Sequence, residues 1–289
     1  MPSPSKTSGR SAAITGAGGG LGREIALGLA AKGYIVFGTA MSAAEVQDLK
    51  GASGGRVSLA VCDITKELAV REWAHGVSDA LGDAGLDVLI SNAGILTPGP
   101  IEVLPLDAIR HEFEVNVLGA LAVMNAFLPA LRKARGRIVQ ISTWTASVPL
   151  PFNGPSGASK AAMEVFSAVY RAELKSFGID VVVAPAGNMK TGGPAKTASA
   201  LARMADGMTQ EQRALYGQAF GTFTTTLNNM QSNGLDAVSA ASRVIELAEQ
   251  VPAPSRAAVG PDAEEMLRAA REKSDAELDA LRLQIVGLD

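Results

Sequence analysis

Short apolar runs alternate with helical patterns along most of the chain. The runs are nearly continuous in Val, Ile, Leu and Ala, which is typical of strands buried on both faces of a parallel sheet. They predict strands at 11–15, 34–40, 56–62, 86–91, 136–142 and 179–185, with a last strand at 256–260.

Helical periodicity fills the intervals between these runs. The clearest helices are predicted at about 21–31, 105–134, 156–177 and 236–251. Strands that alternate with helices form right-handed crossovers, which build a doubly wound sheet. The predicted fold is therefore α/β: a single-domain Rossmann-type parallel sheet of about seven strands, flanked by helices.

Three segments depart from this alternation. Residues 1–9 are rich in Ser and Pro and predict a disordered tail, which leaves 10–289 as one domain. Residues 188–234 are rich in Gly, Thr, Ala and Met, and we interpret them as a lid over the carboxyl edge of the sheet. Residues 262–283 predict one charged helix for packing or for an interface.

Composition narrows the functional classes. The 289 residues carry a net charge of −3 without a basic stripe, so no nucleic-acid partner is expected. A single cysteine, Cys62, and two histidines argue against disulfides and against a metal site. No secretory signal and no uninterrupted apolar window of membrane length is found, so we expect a cytoplasmic protein with no membrane partner.

The run TGAGGGLG at 15–22 joins the first predicted strand to the first helix. Glycines allow the backbone to approach a pyrophosphate closely, and a helix N-terminus offers N–H groups and a partial positive charge. A tight turn without a ligand would use the same residues, but the position after the first strand favours phosphate binding.

The spacing Thr15-Gly16-x-x-x-Gly20-x-Gly22 resembles the glycine motif of the classical short-chain dehydrogenase/reductase family. Further motifs of that family follow in order: Asp63 in CDIT, SNAG at 91–94, Asn116 in VNVLG, IVQIST at 138–143, SGASK at 156–160 and AGNMKT at 186–191. The resemblance covers about residues 10–260. It implies that the domain binds a dinucleotide and is an NAD(P)-dependent oxidoreductase.

The resemblance also implies which residues bind the cofactor. Asp63 matches the residue that meets the adenine, and the loop at 186–191 matches the one that covers the nicotinamide carboxamide. The full implied set is Thr15, Gly16, Gly20, Leu21, Gly22, Met41, Asp63, Ile64, Asn92, Ala93, Gly94, Lys160, Gly187, Met189 and Thr191.

The implied catalytic residues are only partly those of the family, which uses Asn, Ser, Tyr and Lys. Carried onto this chain, the asparagine is Asn116 and the lysine is Lys160, while Thr143 stands at the serine position and Ser156 at the tyrosine position. Threonine keeps a hydroxyl that can polarise a carbonyl. A tyrosine has a pKa of ~10, whereas an aliphatic alcohol is closer to water at about 15.7. Direct acid/base catalysis by the shorter Ser156 is therefore not expected.

Three explanations of Ser156 follow from the sequence. The chain is an oxidoreductase in which another donor, or a water held by the remaining residues, replaces the phenol. Alternatively it is a non-redox enzyme or a catalytically silent ligand- or cofactor-binding protein. Thirdly, the tyrosine was removed deliberately. Thr143, and Ala186 where the family usually has proline, favour natural divergence.

The substrate is expected to be a small, largely apolar molecule: a carbonyl compound, an alcohol or an imine. Trp144, Asn153 and Tyr216 are candidates for contacting it, and Tyr216 is also a candidate replacement donor. Apolar lid residues support this expectation: Met204, Met208, Phe220, Phe223 and Met230.

The choice between NAD(H) and NADP(H) depends on the end of the second strand. An acid there binds the 2′-hydroxyl of NAD, whereas an arginine accommodates the 2′-phosphate of NADP. This chain has Met41 at the arginine position and no Asp at the strand end, which gives a slight preference for NADP(H). The resemblance also implies a homodimer or homotetramer joined through the two long helices.

Overall fold

A six-stranded sheet forms the centre of the molecule. The computed structural model describes residues 9–191 and 193–288, so the predicted tail, apart from Gly9, lies outside the described residues. The strands are β1 Ser11–Ile14, β2 Ile35–Ala40, β3 Val57–Val61, β4 Val88–Ser91, β5 Arg137–Thr143 and β6 Asp180–Ala186. Their order is β3-β2-β1-β4-β5-β6, and all neighbours are parallel. The predicted doubly wound α/β fold is confirmed.

Helices cover both faces of this sheet. They are α1 Gly20–Ala31, α2 Ala43–Ala52, α3 Glu67–Leu81, α4 Leu106–Phe113, α5 Ala120–Ala134, α6 Gly154–Glu173, α7 Gly193–Gly207, α8 Gln210–Ser232, α9 Ala237–Glu249, α10 Pro261–Glu272 and α11 Asp275–Val286. Ala12 and Ile14 of β1 belong to the cluster that packs against α1 and α9, whereas Ala13 belongs to the one that packs against α3 and α5. This alternation explains why the strands are apolar throughout.

The predicted seventh strand at 256–260 does not form a regular strand. The segment lies beside β6 and makes two isolated parallel bridges, Val183 with Arg256 and Ala186 with Val259. Between them lies Pro185, which has no N–H to donate, so the ladder is interrupted at that residue.

The predicted helix at 105–134 is helical throughout, but a π-helical turn, Glu114–Gly119, separates α4 from α5. The run Leu106–Ala134 is long and apolar enough to cross a membrane by length and composition, and half of its most apolar window is buried inside the fold. Core helices share both properties, so this run is weak support for a membrane span.

The C-terminal region contains two helices where the sequence predicted one at 262–283. The break lies at Lys273, whose backbone is extended, and at Ser274, which caps α11 in a capping box with Glu277. A strong N-cap inside a helical pattern starts a new helix.

The lid segment folds into two helices, α7 and α8, between the short paired strands β7 Met189–Lys190 and β8 Leu235–Asp236. Phe220 and Phe223 of α8 are buried against Phe152, with ring centroids 5.6 and 5.5 Å apart. The lid is therefore packed onto the segment that follows β5.

Candidate functional site

Thr15 joins the carboxyl ends of β1 and β4. Its hydroxyl accepts hydrogen bonds from the backbone N–H groups of Asn92 and Ala93, at 2.9 and 3.0 Å. The Asn92 side chain donates to the Thr15 carbonyl at 2.9 Å. Gly16 N donates to Thr39 Oγ1 at 3.0 Å, so the glycine turn is also bonded to the end of β2. These bonds hold the glycine turn in place at one edge of the sheet.

Close packing explains the glycines of this turn. Gly16 has a φ of +66°, and a β-carbon on Gly22 would overlap Gly16 O and lie 2.6 Å from Asn92 Nδ2. No side chain caps the start of α1 at Gly19, so the first N–H groups of the helix are left for another acceptor. Buried Leu21 fixes this first turn against the core. The arrangement fits a dinucleotide pyrophosphate.

A carboxylate that the sequence analysis missed lies beside this turn. Glu45 Oε2 accepts a hydrogen bond from Met41 N at 2.8 Å. A β-carbon on Gly18 would lie 2.7 Å from the same oxygen. Glu45 belongs to the first turn of α2, and its carboxylate therefore reaches back to the end of β2. Because Glu45 lies inside α2 and not at the end of β2, the residues directly after the strand do not indicate its role.

Asp63 and Ile64 follow β3 at the same edge of the sheet. Asp63 Oδ1 accepts hydrogen bonds from the N–H and hydroxyl of Thr65, at 2.9 and 2.8 Å. Ile64 is buried and packs closely against Gly119, where a β-carbon would lie 2.9 Å from Ile64 Cγ1. These contacts fix the positions of the two residues at this edge of the sheet.

The loop after β6 is held by Asp262, which sequence reasoning also missed. Asp262 Oδ2 accepts hydrogen bonds from Asn188 N at 2.8 Å and from Asn188 Nδ2 at 3.0 Å. Gly187 N donates to Val259 O at 2.9 Å, and any side chain at Gly187 would collide with the Asp262 carboxylate. Asp262 lies at the start of α10, far along the chain, so no local pattern indicates the contact.

This loop reaches the glycine turn. Met189 pairs with Leu235 in the small second sheet. Two residues further on, the side chain of Thr191 lies 3.9 Å from where a β-carbon on Gly20 would be. The predicted carboxamide loop and the predicted phosphate turn therefore lie next to each other.

Asn116 and Lys160 flank Gly94 on the other side of the site. A β-carbon on Gly94 would lie 3.1 Å from Asn116 Oδ1 and 3.3 Å from Lys160 Nζ. Asn116 Oδ1 accepts from Ile95 N at 2.8 Å, and Lys160 Nζ donates to Ile141 O at 3.1 Å. The π-helical turn places Asn116 inward, in agreement with the frequent use of such turns at functional sites.

A fully buried acid, Glu112, completes this polar cluster. Glu112 Oε2 accepts from Thr97 N at 2.8 Å, and Glu112 Oε1 accepts from Asn116 Nδ2 at 3.3 Å. Burial raises the pKa of Glu112 to about 7, although the Thr97 hydrogen bond and the charge of Lys160 oppose the rise. Its spacing of four residues before Asn116 is the one sequence signal that could have indicated it, because such residues share a helix face.

Lys160 is partly buried, and its pKa is correspondingly displaced. Burial lowers the pKa of the ammonium to about 8, while the charges of Glu112 and Glu164 act to raise it. Glu164 has partners of its own, because it accepts from Ser142 Oγ at 2.6 Å and pairs with Arg256 at 2.8 Å.

A cavity of about 210 Å³ opens between the end of β5, the start of α6 and the lid. Its lining is Leu96, Thr143, Trp144, Thr145, Leu150, Asn153, Ser156, Gly187, Asn188, Met189, Thr191, Thr197, Leu227 and Gln231. The structure thus brings together the predicted Thr143, Ser156, Trp144 and Asn153. Thr143 Oγ1 lies 3.2 Å from the Thr145 hydroxyl.

Two carboxamides give the cavity a polar side. Asn153 Oδ1 and Gln231 Oε1 are buried and have no hydrogen-bond partner in the described structure. Buried polar atoms normally have partners, so these two oxygens are available to a ligand. Gln231 lies on α8 of the lid, where nothing in the sequence distinguishes it from its polar neighbours.

Tyr216 does not line this cavity. Its hydroxyl donates to Glu102 Oε2 at 2.6 Å, and this hydrogen bond raises the pKa of the phenol. A phenol engaged outside the cavity is poorly placed to replace the acid expected at residue 156. The structure therefore does not support the sequence-based assignment of Tyr216 to the site.

Comparisons with known proteins agree with this geometry. A family model described as short chain dehydrogenase matches residues 10–201. Mouse estradiol 17-beta-dehydrogenase 2 is 33% identical over 181 residues, which are 62% of this chain and 48% of that protein. Mouse retinol dehydrogenase 16 is 32% identical over 221 residues, which are 75% of this chain and 69% of that protein. The chain therefore spans about half the length of the first of these curated relatives.

Solved structures extend the similarity to nearly the whole chain. A short-chain dehydrogenase from Streptomyces avermitilis superposes with a TM-score of 0.79 at 27% identity, and covers 98% of this chain and 99% of its own. A short-chain dehydrogenase from Burkholderia cenocepacia, solved in complex with NADP, superposes with a TM-score of 0.71 at 25% identity, covering 95% and 97%.

Proposed function

The chain belongs to the short-chain dehydrogenase family, and we propose that it is an NAD(P)-dependent oxidoreductase with an altered proton-transfer site. One observation carries the proposal. The glycine turn anchored by Thr15 and the pair Asn116 and Lys160 lie at the same edge of the sheet, beside a cavity that contains Thr143 and Ser156. This edge is where α/β sheets bind dinucleotides.

The residues of the chain divide the chemistry between them. The cofactor supplies or accepts the hydride when it is bound. Thr143 donates a hydrogen bond to the substrate oxygen, which stabilises negative charge that develops there. Lys160 holds the nicotinamide ribose, and Asn116 fixes the backbone around Gly94 through its two hydrogen bonds to Ile95. The packed lid limits the access of bulk solvent to the cavity.

Ser156 leaves the proton without its usual source. We propose that Lys160 donates it to the substrate oxygen through one water, as the hydride reaches the carbon. Lys160 becomes a neutral amine in this step and recovers a proton from solvent. An iminium substrate needs no proton at all, because hydride addition gives the neutral amine directly. Both routes leave Ser156 to hold a water or the substrate.

For the cofactor, we propose a preference for NAD(H), in contrast to the slight preference for NADP(H) drawn from the strand end. Glu45 supports it, because its carboxylate accepts from Met41 N and lies against Gly18. A carboxylate at this place binds a ribose 2′-hydroxyl and repels a 2′-phosphate. Arg23, the nearby cation of α1, is paired with Glu24 and Asp48.

For the substrate, we propose an apolar alcohol, ketone or imine that carries one hydrogen-bonding group away from the reacting carbon. Trp144, Leu150 and Leu227 supply the apolar contacts. Asn153 and Gln231 supply the polar ones, because their unpartnered oxygens accept from a donor on the substrate. The names of the estradiol and retinol relatives describe apolar alcohols, which agrees with this class.

A catalytically silent or non-redox protein is the second candidate, and Ser156 is the observation that favours it. The two are separated by measuring NADH and NADPH binding by fluorescence, followed by nicotinamide oxidation with carbonyl and preformed iminium substrates. We expect the wild type to bind and to turn over, with Ser156→Tyr increasing the ketone rate by about 10²–10⁴-fold, the usual value of general acid catalysis. Turnover by Ser156→Tyr alone would establish the silent alternative, and binding of neither nucleotide would refute the oxidoreductase.

A further inference from the structure

A buried carboxyl lies behind the cavity, and the hydride-transfer scheme above does not use it. Glu112 is 0% exposed, whereas the adjacent His111 and nearby Glu114 on the same helical run are exposed. An ionised carboxylate in such a place is costly unless it is hydrogen-bonded and matched by a positive charge. The position therefore needs an explanation beyond the packing of α4.

The hydrogen bonds of Glu112 lead towards Lys160. Asn116 Nδ2 lies within 3.3 Å of Glu112 Oε1 and within 3.0 Å of Ser159 Oγ, and Ser159 precedes Lys160 on α6. Gly94 separates Asn116 from Lys160 Nζ, and a side chain there would touch both. Glu112 and Lys160 form no direct ion pair in the described structure, so their charges act on each other across this small buried cluster.

The other charges around Lys160 are already balanced. Glu164 faces Lys160 from its own helix, but Arg256 pairs with it at 2.8 Å and Ser142 donates to it at 2.6 Å. Glu112 faces Lys160 from α4, and among the described residues Lys160 is the charged group that opposes the rise in the pKa of Glu112. Glu112 is therefore the acid whose negative charge has no other counterpart.

We propose that Glu112 sets the protonation state of Lys160, as a positioning residue that keeps the ammonium charged at neutral pH. Keeping Lys160 protonated is important here, because Ser156 cannot supply the proton that a phenol would. Its importance for turnover rests on the proposed function, but the proposed coupling of the two charges does not require nucleotide.

The direction of each pKa agrees with this role. Burial alone would lower the pKa of Lys160, and the negative charge of Glu112 acts against that. Burial raises the pKa of Glu112 to about 7, below the value of about 8 for Lys160. As the pH rises, Glu112 loses its proton first, and its new charge then favours the ammonium form of Lys160.

Lysine side-chain NMR on the full chain without nucleotide tests the proposal. The Cε signal of Lys160 is assigned by its loss in Lys160→Met. In the wild type we expect two inflections, because a coupled group reports the ionisation of its neighbour as well as its own. In Glu112→Gln we expect one inflection, lower by about one pH unit or more. Glu112→Asp restores part of the shift.

Glu114→Gln is the matched control, since it removes an exposed acid two residues after Glu112. In this variant the Cε signal of Lys160 is expected to titrate as it does in the wild type. A Lys160 titration unchanged in Glu112→Gln would overturn the proposal. If Glu112→Gln does not fold, the wild-type titration of Lys160 is sufficient by itself, because a single inflection in that curve would also overturn the proposal. Nucleotide binding plays no part in this readout, so its outcome is separate from that of the proposed function.

Discussion

Three carboxylates contact the residues of the candidate site, and each lies where the fold, not the local sequence, puts it. Glu45 reaches the glycine turn from α2, Glu112 reaches Asn116 from the preceding helical turn, and Asp262 reaches the loop after β6 from α10. All three accept hydrogen bonds from the groups that they position. Their charges therefore shape the site before any ligand enters.

Replacing Glu45 is expected to change the cofactor preference. In the wild type, NADH should bind at least about tenfold more tightly than NADPH, since like charges at contact distance cost a few kcal/mol. Glu45→Gln should remove most of this difference by improving NADPH binding. The measurement is the pair of dissociation constants by fluorescence or calorimetry.

Glu72→Gln is the control for this change, because Glu72 is an exposed acid of α3 that forms no ion pair among the described residues. Its NADH-to-NADPH ratio should match the wild type. Equal affinities in the wild type, or a ratio that Glu45→Gln leaves untouched, would rule out this role of Glu45.

Residues inside motifs were predictable, and residues outside them were not. The family motifs assigned Thr15, Asn116 and Lys160 to one site; Thr15 binds the backbone of Asn92 and Ala93, and Asn116 and Lys160 flank the next residue, Gly94. Gln231 and Asp262 belong to no motif, because their roles depend on how the lid and the C-terminal region pack. For Tyr216, the sequence did not indicate the hydrogen bond that its hydroxyl donates to Glu102 outside the cavity.

At the scale of elements, the boundaries of strands and helices followed the apolar pattern closely, and the exceptions have local causes. Pro185 interrupts the last strand, and the cap at Ser274 divides the C-terminal helix. The π-helical turn at Glu114–Gly119 could not be predicted, because its residues fit an α-helix equally well. That turn carries Asn116, so the least predictable backbone lies at the site.

Helix α6 also presents an apolar outer face. Val165, Phe166 and Val169 are exposed, and Leu118 is exposed on the π-helical turn that packs against α6. An apolar patch of this kind is typical of a protein interface. We propose that it joins copies of this chain in a homodimer or homotetramer, as the resemblance implied.

Val169→Asp is expected to dissociate this assembly, since a charge buried in an apolar interface is costly. Size-exclusion chromatography with light scattering should show a dimer or tetramer for the wild type and a monomer for the variant. Val238→Asp changes a more exposed valine on α9 and should leave the mass unchanged. A monomeric wild type would contradict the proposed assembly.

At the scale of the whole molecule, one parallel sheet brings distant parts of the chain to a single edge. The glycine turn, the acids of α2 and α4, Lys160 of α6 and the carboxamides of the cavity all converge there. The fold was predictable from the alternation of strands and helices. The assignments of the cofactor-binding and proton-transfer residues remain predictions, because they rest on motifs and not on a bound ligand.

Transfer of deuterium from NADH labelled at nicotinamide C4 tests the central claim most directly. The unmodified chain is incubated with [4-²H]NADH and an apolar ketone or a preformed iminium, and the product is analysed by mass spectrometry. The account predicts deuterium on the product carbon, faster for the iminium than for the ketone because only the ketone needs a proton. Tight binding of NADH with no label in any product would contradict it and would identify a silent or non-redox member of the family.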